Sequence, residues 1–157
     1  MAVSALSPGR ESAKVSCEWV CQHNLNYWTF GDYLAIGAGA HAKVSWRGTN
    51  ALELKRYANV LSPRKYMDRM ANAGNAKAEE HLVEADQRPF EFMLNALRLV
   101  DGVETASFAA RTGLSLEVVE PTVSRLRAEG LLVADPTRIA PSARGLRFLS
   151  TLQEAFL

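Results

Sequence analysis

His23, Asn24, Tyr27 and Trp28 fall within six residues of one another. The chain then runs through Phe30-Gly31-Asp32-Tyr33-Leu34-Ala35-Ile36 into Gly37-Ala38-Gly39-Ala40-His41. No other stretch of the sequence gathers so many groups that can do chemistry. An imidazole ligates a metal or carries a proton near neutral pH. Tyrosine and tryptophan rings stack on a flat apolar ligand and keep one polar edge, and an amide beside a histidine can orient it. Gly37 and Gly39, among small neighbours, let the backbone approach either a ligand or another strand closely. Leu34-Ala35-Ile36 reads as a short buried strand leading into that glycine turn, and such an arrangement often lines a cofactor pocket.

Two cysteines suggest a second chemistry and fall short of it. Cys17 and Cys21 have the first spacing of the C-x3-C-x2-C run that holds an iron–sulfur cluster, but Asn24 stands where the third thiolate belongs. Two thiolates do not hold a cubane with one open iron, so they read as unrelated thiols. His81, beside Glu79 and Glu80, reads as a solvated face rather than a metal site.

The elements that would position the first stretch can be read outward from it. Residues 1–16, rich in Ser, Ala, Gly and Pro, are expected to form an irregular lead-in. Alternation on either side of Gly48-Thr49-Asn50 predicts a β-hairpin from Lys43 to Tyr57. Ser62-Pro63 opens a helix to about Ala73, with serine as N-cap and proline at the first helical position. Tyr66, Met67 and Met70 share one of its faces, and Gly74-Asn75 ends it. From Ala76 to Ala85 the sequence is polar and acidic.

Arg88-Pro89 starts a helix with Phe90, Met93, Leu94, Leu97 and Val100 at helical spacing, stopped by Gly102. A short helix over Thr105–Arg111, a Thr112-Gly113-Leu114 turn and a helix capped by Ser115 follow. That last helix buries Leu116, Val119, Val123 and Leu126 and runs to about Glu129. A hairpin at 131–140 turns over Asp135-Pro136-Thr137, and a final helix spans Ser142–Phe156. Three helices, a hairpin and a helix make a winged-helix arrangement with helix-turn-helix spacing inside it.

The class is therefore α+β. A glycine-rich strand and hairpin segment occupies 1–61, a helical connector 62–88 and a winged-helix-like unit 89–157. A composition of 48% hydrophobic and 22% charged residues suits a globular protein. A net charge of +1 offers no global field for nucleic acid or an anionic surface. No apolar run is long enough to span a membrane, no leader is expected, and the default setting is a reducing cytoplasm.

Several separated motifs, in order, resemble the C-terminal half of the oxygen-independent coproporphyrinogen III oxidase family. They are Cys21-Gln22-His23-Asn24-Leu25-Asn26-Tyr27-Trp28, Gly31-Asp32-Tyr33-Leu34, Gly37-Ala38-Gly39-Ala40-His41, Pro63-Arg64-Lys65-Tyr66, Arg88-Pro89-Phe90-Glu91-Phe92-Met93-Leu94-Asn95 with Arg98-Leu99, Thr112-Gly113-Leu114, and Gly145-Leu146-Arg147-Phe148-Leu149. The HemW-type heme chaperone branch is the most similar, because its His-Asn-x-x-Tyr-Trp motif is associated with heme binding. Lys14-Val15-Ser16-Cys17-Glu18-Trp19-Val20, ahead of Cys21, departs from the family pattern.

The resemblance implies that the first third completes a partial α/β barrel. It also implies that heme, or a porphyrin precursor, contacts His23 to Trp28. His23 would be the iron ligand, Tyr27 and Trp28 the stacking rings and Asn24 the orienting amide. Gly37, Gly39 and His41 would stand close by, with His41 and Cys21 as alternative ligands. Full-length members resemble a radical S-adenosylmethionine barrel that carries an iron–sulfur cluster. That motif is not in this chain, so neither the cluster nor S-adenosylmethionine is expected to bind it, and no radical chemistry is expected from it alone. A barrel domain and a heme-accepting protein are the implied protein partners.

Two readings compete. A winged helix also suits a DNA-binding regulator. Residues 90–157, however, carry seven arginines against eight acids. Glu117 and Glu120 stand at the start of the would-be recognition helix, where they oppose phosphate. The other reading is an inactive truncated remnant that needs a barrel to fold.

Overall fold

A computed structural model describes residues 21–49 and 51–157. The lead-in over 1–16, Cys17 and Asn50 of the hairpin turn therefore lie outside the described residues. The protein has a mixed α/β fold.

His23 to Trp28 is helical: α1 spans Gln22–Trp28. The helix stops in a reversal in which the Phe30 amide donates to the Tyr27 carbonyl at 3.0 Å and the Gly31 amide to the Asn26 carbonyl at 2.7 Å. This pair of bonds is the Schellman pattern, which needs a left-handed residue just past the helix. Here that residue is Phe30, at φ 57°, and not a glycine. Gly31 follows because a Cβ there would collide with the Asn26 side chain.

β1 (His41–Arg47) and β2 (Leu52–Asn59) pair antiparallel, from His41 opposite Ala58 to Arg47 opposite Leu52, as the alternation predicts. α2 (Pro63–Ala73) follows, with the Ser62 hydroxyl accepting from the Lys65 amide and Gly74 left-handed at its C-cap. The polar segment after it is not simply a solvated stretch. It forms β3 (Lys77–Leu82), which pairs antiparallel with β2, so the sheet order is β1-β2-β3. Every residue of β3 is exposed, and its charged side chains masked the strand signal.

Leu34-Ala35-Ile36 is not a buried strand. Only Tyr33 makes a bridge, to Lys43, while Leu34 and Ile36 face solvent. Three apolar residues in a row imitate a buried strand, but here the Ala35 carbonyl accepts from Asn59 Nδ2 in a turn at one end of the sheet.

α3 (Arg88–Ala96) buries Pro89, Phe92, Met93 and Ala96, with Leu97 just beyond. The expected stripe is thus out of phase at its ends: Phe92, rather than Phe90, is fully buried, and Val100 is exposed past the helix end. Phe92 wins because it meets Phe30 on one side, with centroids 5.8 Å apart, and Phe108 on the other at 5.3 Å, both edge-on.

α4 (Thr105–Thr112) ends at left-handed Gly113. The single helix expected from Ser115 to Glu129 is two pieces: a 3-10 turn over Leu116–Val118, then α5 (Glu120–Ala128). Pro121 accounts for the break, since its ring excludes the preceding turn of a continuous helix. Leu132 bridges Pro141, but the regular pairing of Arg138 and Ile139 (β5) is with β4, Val103–Glu104. The last helix also divides, at Phe148, into α6 (Ala143–Arg147) and α7 (Leu149–Glu154).

One core runs through all of this. Phe30, Leu54 and Val83 from the sheet side join Phe92, Phe108, Val123, Leu126, Ile139 and Leu152. Arg88 ties the layers together: its guanidinium donates to the carbonyls of Val83, Leu52 and Thr112, at 3.0, 3.0 and 3.1 Å. Phe92→Ala would empty the middle of the aromatic row. It should cost about 3–5 kcal/mol, read as a lowered midpoint in urea unfolding followed by far-UV circular dichroism.

Candidate functional site

The imidazole of His23 is exposed on α1. Four residues on, Tyr27 lies on the same face, and the two rings meet edge-on at 4.5 Å. Tyr27 in turn meets Tyr33 at 4.4 Å. The Tyr33 hydroxyl accepts a hydrogen bond from Arg56 Nη1 at 3.0 Å. Arg56 grips Glu91 of α3 with two nitrogens, Nη2 to Oε2 at 2.7 Å and Nε to Oε2 at 3.1 Å. A continuous series of contacts therefore leads from the surface histidine through two tyrosines to an ion pair on α3. Burial opposes the Arg56 charge, but Glu91 and Tyr33 outweigh it and raise its already high pKa.

Beneath α1, Asp32 holds the return of the chain. Desolvation pushes its carboxyl up, but the Ser45 hydroxyl (2.7 Å), the Ser45 amide (2.9 Å) and Lys43 Nζ (3.0 Å) together hold it below the usual carboxylate range. Lys43 is 2% exposed and lies 4.2 Å from the Phe30 ring centroid. Burial lowers the Lys43 pKa despite Asp32. The two partners thus shift in the same direction for different reasons, and burial dominates for the lysine because almost no water reaches it.

The other residues singled out in the sequence are placed as follows. Trp28 is half-buried, and Asn24 is exposed beside His23. Gly37 and Gly39 have φ of 99° and 70° in one turn at the end of the sheet. Asn59 Nδ2 donates to the Ala35 and Gly37 carbonyls, and the Gly37 amide donates to the Tyr66 hydroxyl. His41 opens β1 opposite Ala58, exposed and outside the His23–Tyr27–Tyr33 stack. Cys21, also exposed, is the N-cap of α1 and makes no side-chain cap bond. Among the described residues no group of three or more His, Cys, Asp or Glu could hold a metal ion. A cleft of about 380 Å³ is lined by Leu25 and Thr29 of the α1 region with Val100, Glu104, Ser107 and Arg138. Leu25 and Thr29 point away from the His23–Tyr27 face, so this cleft does not receive the imidazole.

Sequence reasoning passed over Asp32, Lys43, Arg56 and Glu91. The alternation of the hairpin could have revealed Lys43 and Arg56, since both fall on its inward face, where an unpaired charge is costly.

In the C-terminal half, the basic side chains that would serve nucleic acid are engaged. Arg125 pairs with Glu129, Arg127 donates to the Asp135 and Arg138 carbonyls, and Arg144 donates to the Glu129 carbonyl.

Asp32→Asn should destabilise the protein by roughly 1–3 kcal/mol at neutral pH, because it leaves the buried Lys43 ammonium without its anion. A carboxyl held low in the folded state stabilises above its unfolded pKa, and that stability is lost as pH falls through the folded value. Urea midpoints measured from neutral to acidic pH should therefore fall for the wild type and converge on those of Asp32→Asn.

The family described as the HemN C-terminal domain matches residues 83–148. Over 146 residues the chain is 37% identical to the heme chaperone HemW of Escherichia coli (strain K12), an alignment covering 93% of this chain and 36% of that protein. The heme chaperone HemW of Haemophilus influenzae is 36% identical with the same coverage. A mitochondrial radical S-adenosyl methionine domain-containing protein 1 of Dictyostelium discoideum is 29% identical, over 83% of this chain and 33% of its own length. Among solved structures, coproporphyrinogen III oxidase (HemN) from Escherichia coli, a radical SAM enzyme, shares the fold. Its TM-score is 0.50 at 16% identity, covering 80% of this chain and 28% of that one. The chain spans about a third of the length of the curated relatives it matches.

Proposed function

The chain belongs to the oxygen-independent coproporphyrinogen III oxidase-like radical SAM family, in its C-terminal portion and on the side of the HemW heme chaperones, and from that premise we propose that it contacts heme as cargo through the His23 face of α1. The observation that carries the reading is the exposed His23 imidazole, held edge-on by Tyr27 within a stack anchored on Arg56 and Glu91. Imidazole is a common heme ligand. A ring fixed from behind also gives up less freedom on binding than a free surface side chain.

In this reading His23 meets the iron, Tyr27 and Trp28 offer apolar ring surface to the porphyrin, and Asn24 orients the neighbouring imidazole or the cargo edge. Gly37 and Gly39 form a separate turn with His41 at the start of β1 beyond it, so His41 takes the place of an alternative ligand. Heme itself is preferred over a precursor, because a metal-ligating side chain has no use for a metal-free ring. The protein partners in this reading are a radical SAM barrel and a heme-accepting protein, in a cytoplasmic setting. Catalysis of radical chemistry is assigned to the barrel rather than to these residues.

The finer fold reading accompanies this one. Residues 1–61 would complete the edge of a barrel, 62–88 would connect, and 89–157 would form a winged-helix-like accessory unit. In that unit α4 and α5 are the helix-turn-helix pair and the 131–141 segment the wing. Glu117 in the 3-10 turn, Glu120 at the start of α5 and the engaged arginines argue against DNA as its partner.

The test is a hemin titration of the full chain followed by visible absorption, on the wild type, His23→Ala and His41→Ala. The expected result is a saturable one-to-one Soret shift that His23→Ala weakens roughly tenfold or more and His41→Ala leaves in place. Coincident curves for the wild type and His23→Ala would overturn the assignment.

A further inference from the structure

Tyr33 stands between the candidate ligand and the body of the protein, and it is held at both ends. Its backbone bridges Lys43 of β1 in both directions: the Tyr33 amide donates to the Lys43 carbonyl at 2.8 Å, and the Lys43 amide donates to the Tyr33 carbonyl at 3.1 Å. Lys43 lies directly opposite Arg56 of β2, and residues so paired share one face of the sheet. On that face Arg56 Nη1 donates to the Tyr33 hydroxyl at 3.0 Å, while Nη2 and Nε grip Glu91 of α3. Between these two anchors the Tyr33 ring meets Tyr27 edge-on, and Tyr27 meets His23.

Charge explains why the arrangement needs α3. Two cations directly opposite on one face repel, and here each has its own acid: Asp32 answers Lys43, and Glu91 answers Arg56. The guanidinium keeps its place under Tyr33 only while α3 sits where Glu91 can hold it. α1 lies against α3 with none of its own residues buried, so side chains from outside the helix set the direction of its His23 face. We propose that Tyr33 is a positioning residue for His23, and that the Arg56–Glu91 pair couples heme binding on α1 to the seating of α3. This rests on the heme reading above and adds its regulation: a shift of α3 withdraws the anchor of the tyrosine stack and lowers the affinity for heme. Such coupling is reciprocal, so bound heme steadies α3 in turn.

The test is a double-mutant cycle on the full chain. Tyr33→Phe removes one oxygen and keeps the ring, so the fold is retained. In hemin titrations followed by visible absorption, Tyr33→Phe and Glu91→Gln should each weaken binding about fivefold. Arg56→Lys, which keeps the charge and loses the planar fork, should weaken it as much. In a His23→Ala background the same three changes should have no effect. Glu129→Gln, which breaks the Arg125 pair at the end of α5, should leave hemin binding intact. A second readout needs no hemin: the His23 ring-proton resonances, displaced by the Tyr27 ring, should move toward unstructured values in Tyr33→Phe and Glu91→Gln.

Equal weakening by Tyr33→Phe in the wild-type and His23→Ala backgrounds would overturn the coupling, and unmoved His23 resonances would remove the positioning role. If His23→Ala alone binds hemin like the wild type, the heme reading falls and takes the coupling with it. If His23→Ala weakens binding and Tyr33→Phe does not, only the coupling falls.

Discussion

Lys43 carries an ammonium group into a place where almost no water reaches it, between the Asp32 carboxylate and the face of the Phe30 ring. A charge so placed must be answered, and much of the N-terminal architecture is the answer. Asp32 is fixed by two Ser45 donors from the same strand as the lysine. That fixes the path from α1 into the sheet and lets the Phe30 ring roof the cation. The left-handed backbone at Phe30 costs about 1–2 kcal/mol relative to a glycine. It persists because the ring is needed at once by the lysine below and by Phe92 beside it. The helix that carries His23 is thus pinned to the core at its C-terminal end, although none of its own residues is buried.

A second ion pair works in parallel. Arg56 and Glu91 are only partly covered, and a surface pair of this kind contributes little by attraction alone. Its value is positional: the bidentate grip leaves one guanidinium nitrogen aimed at the Tyr33 hydroxyl, so the tyrosine stack behind His23 is referenced to α3. Arg88 does the same by satisfying three carbonyls, one from β2, one from α4 and one just past β3. Arginine's rigid fork suits both tasks, whereas a lysine's compact ammonium lacks that fixed planar geometry.

How much of this could be read in the sequence follows from the range of each signal. The β1–β2 hairpin, the Ser62 cap with Gly74, α4 and the buried Val119, Val123 and Leu126 stripe are local patterns, and they were legible. Lys77–Leu82 was not, because a fully exposed strand has no buried face to impose a period of two. Leu34–Ile36 misled for the opposite reason, as an apolar run carries no information about which side water is on. Phe92 was displaced in the reading by Phe90, since only the long-range meeting with Phe30 and Phe108 sets the phase of α3. At the candidate site the residue types were visible at once, and their support was not. Nothing local announces that Arg56 will meet Glu91 thirty-five positions away, or that Lys43 will be buried.

β3 is the outer strand of its sheet among the described residues, and its free edge offers unpaired amides and carbonyls to any extended chain. Its side chains read Lys77, Ala78, Glu79, Glu80, His81, Leu82. Five of the six are charged, ionisable or small, and only Leu82 could join a dry interface. A strand arriving to extend this sheet would have to lay its own side chains beside a row of charges, two of them adjacent glutamates. The same polarity that hid β3 in the sequence therefore disfavours extension of the sheet through this edge.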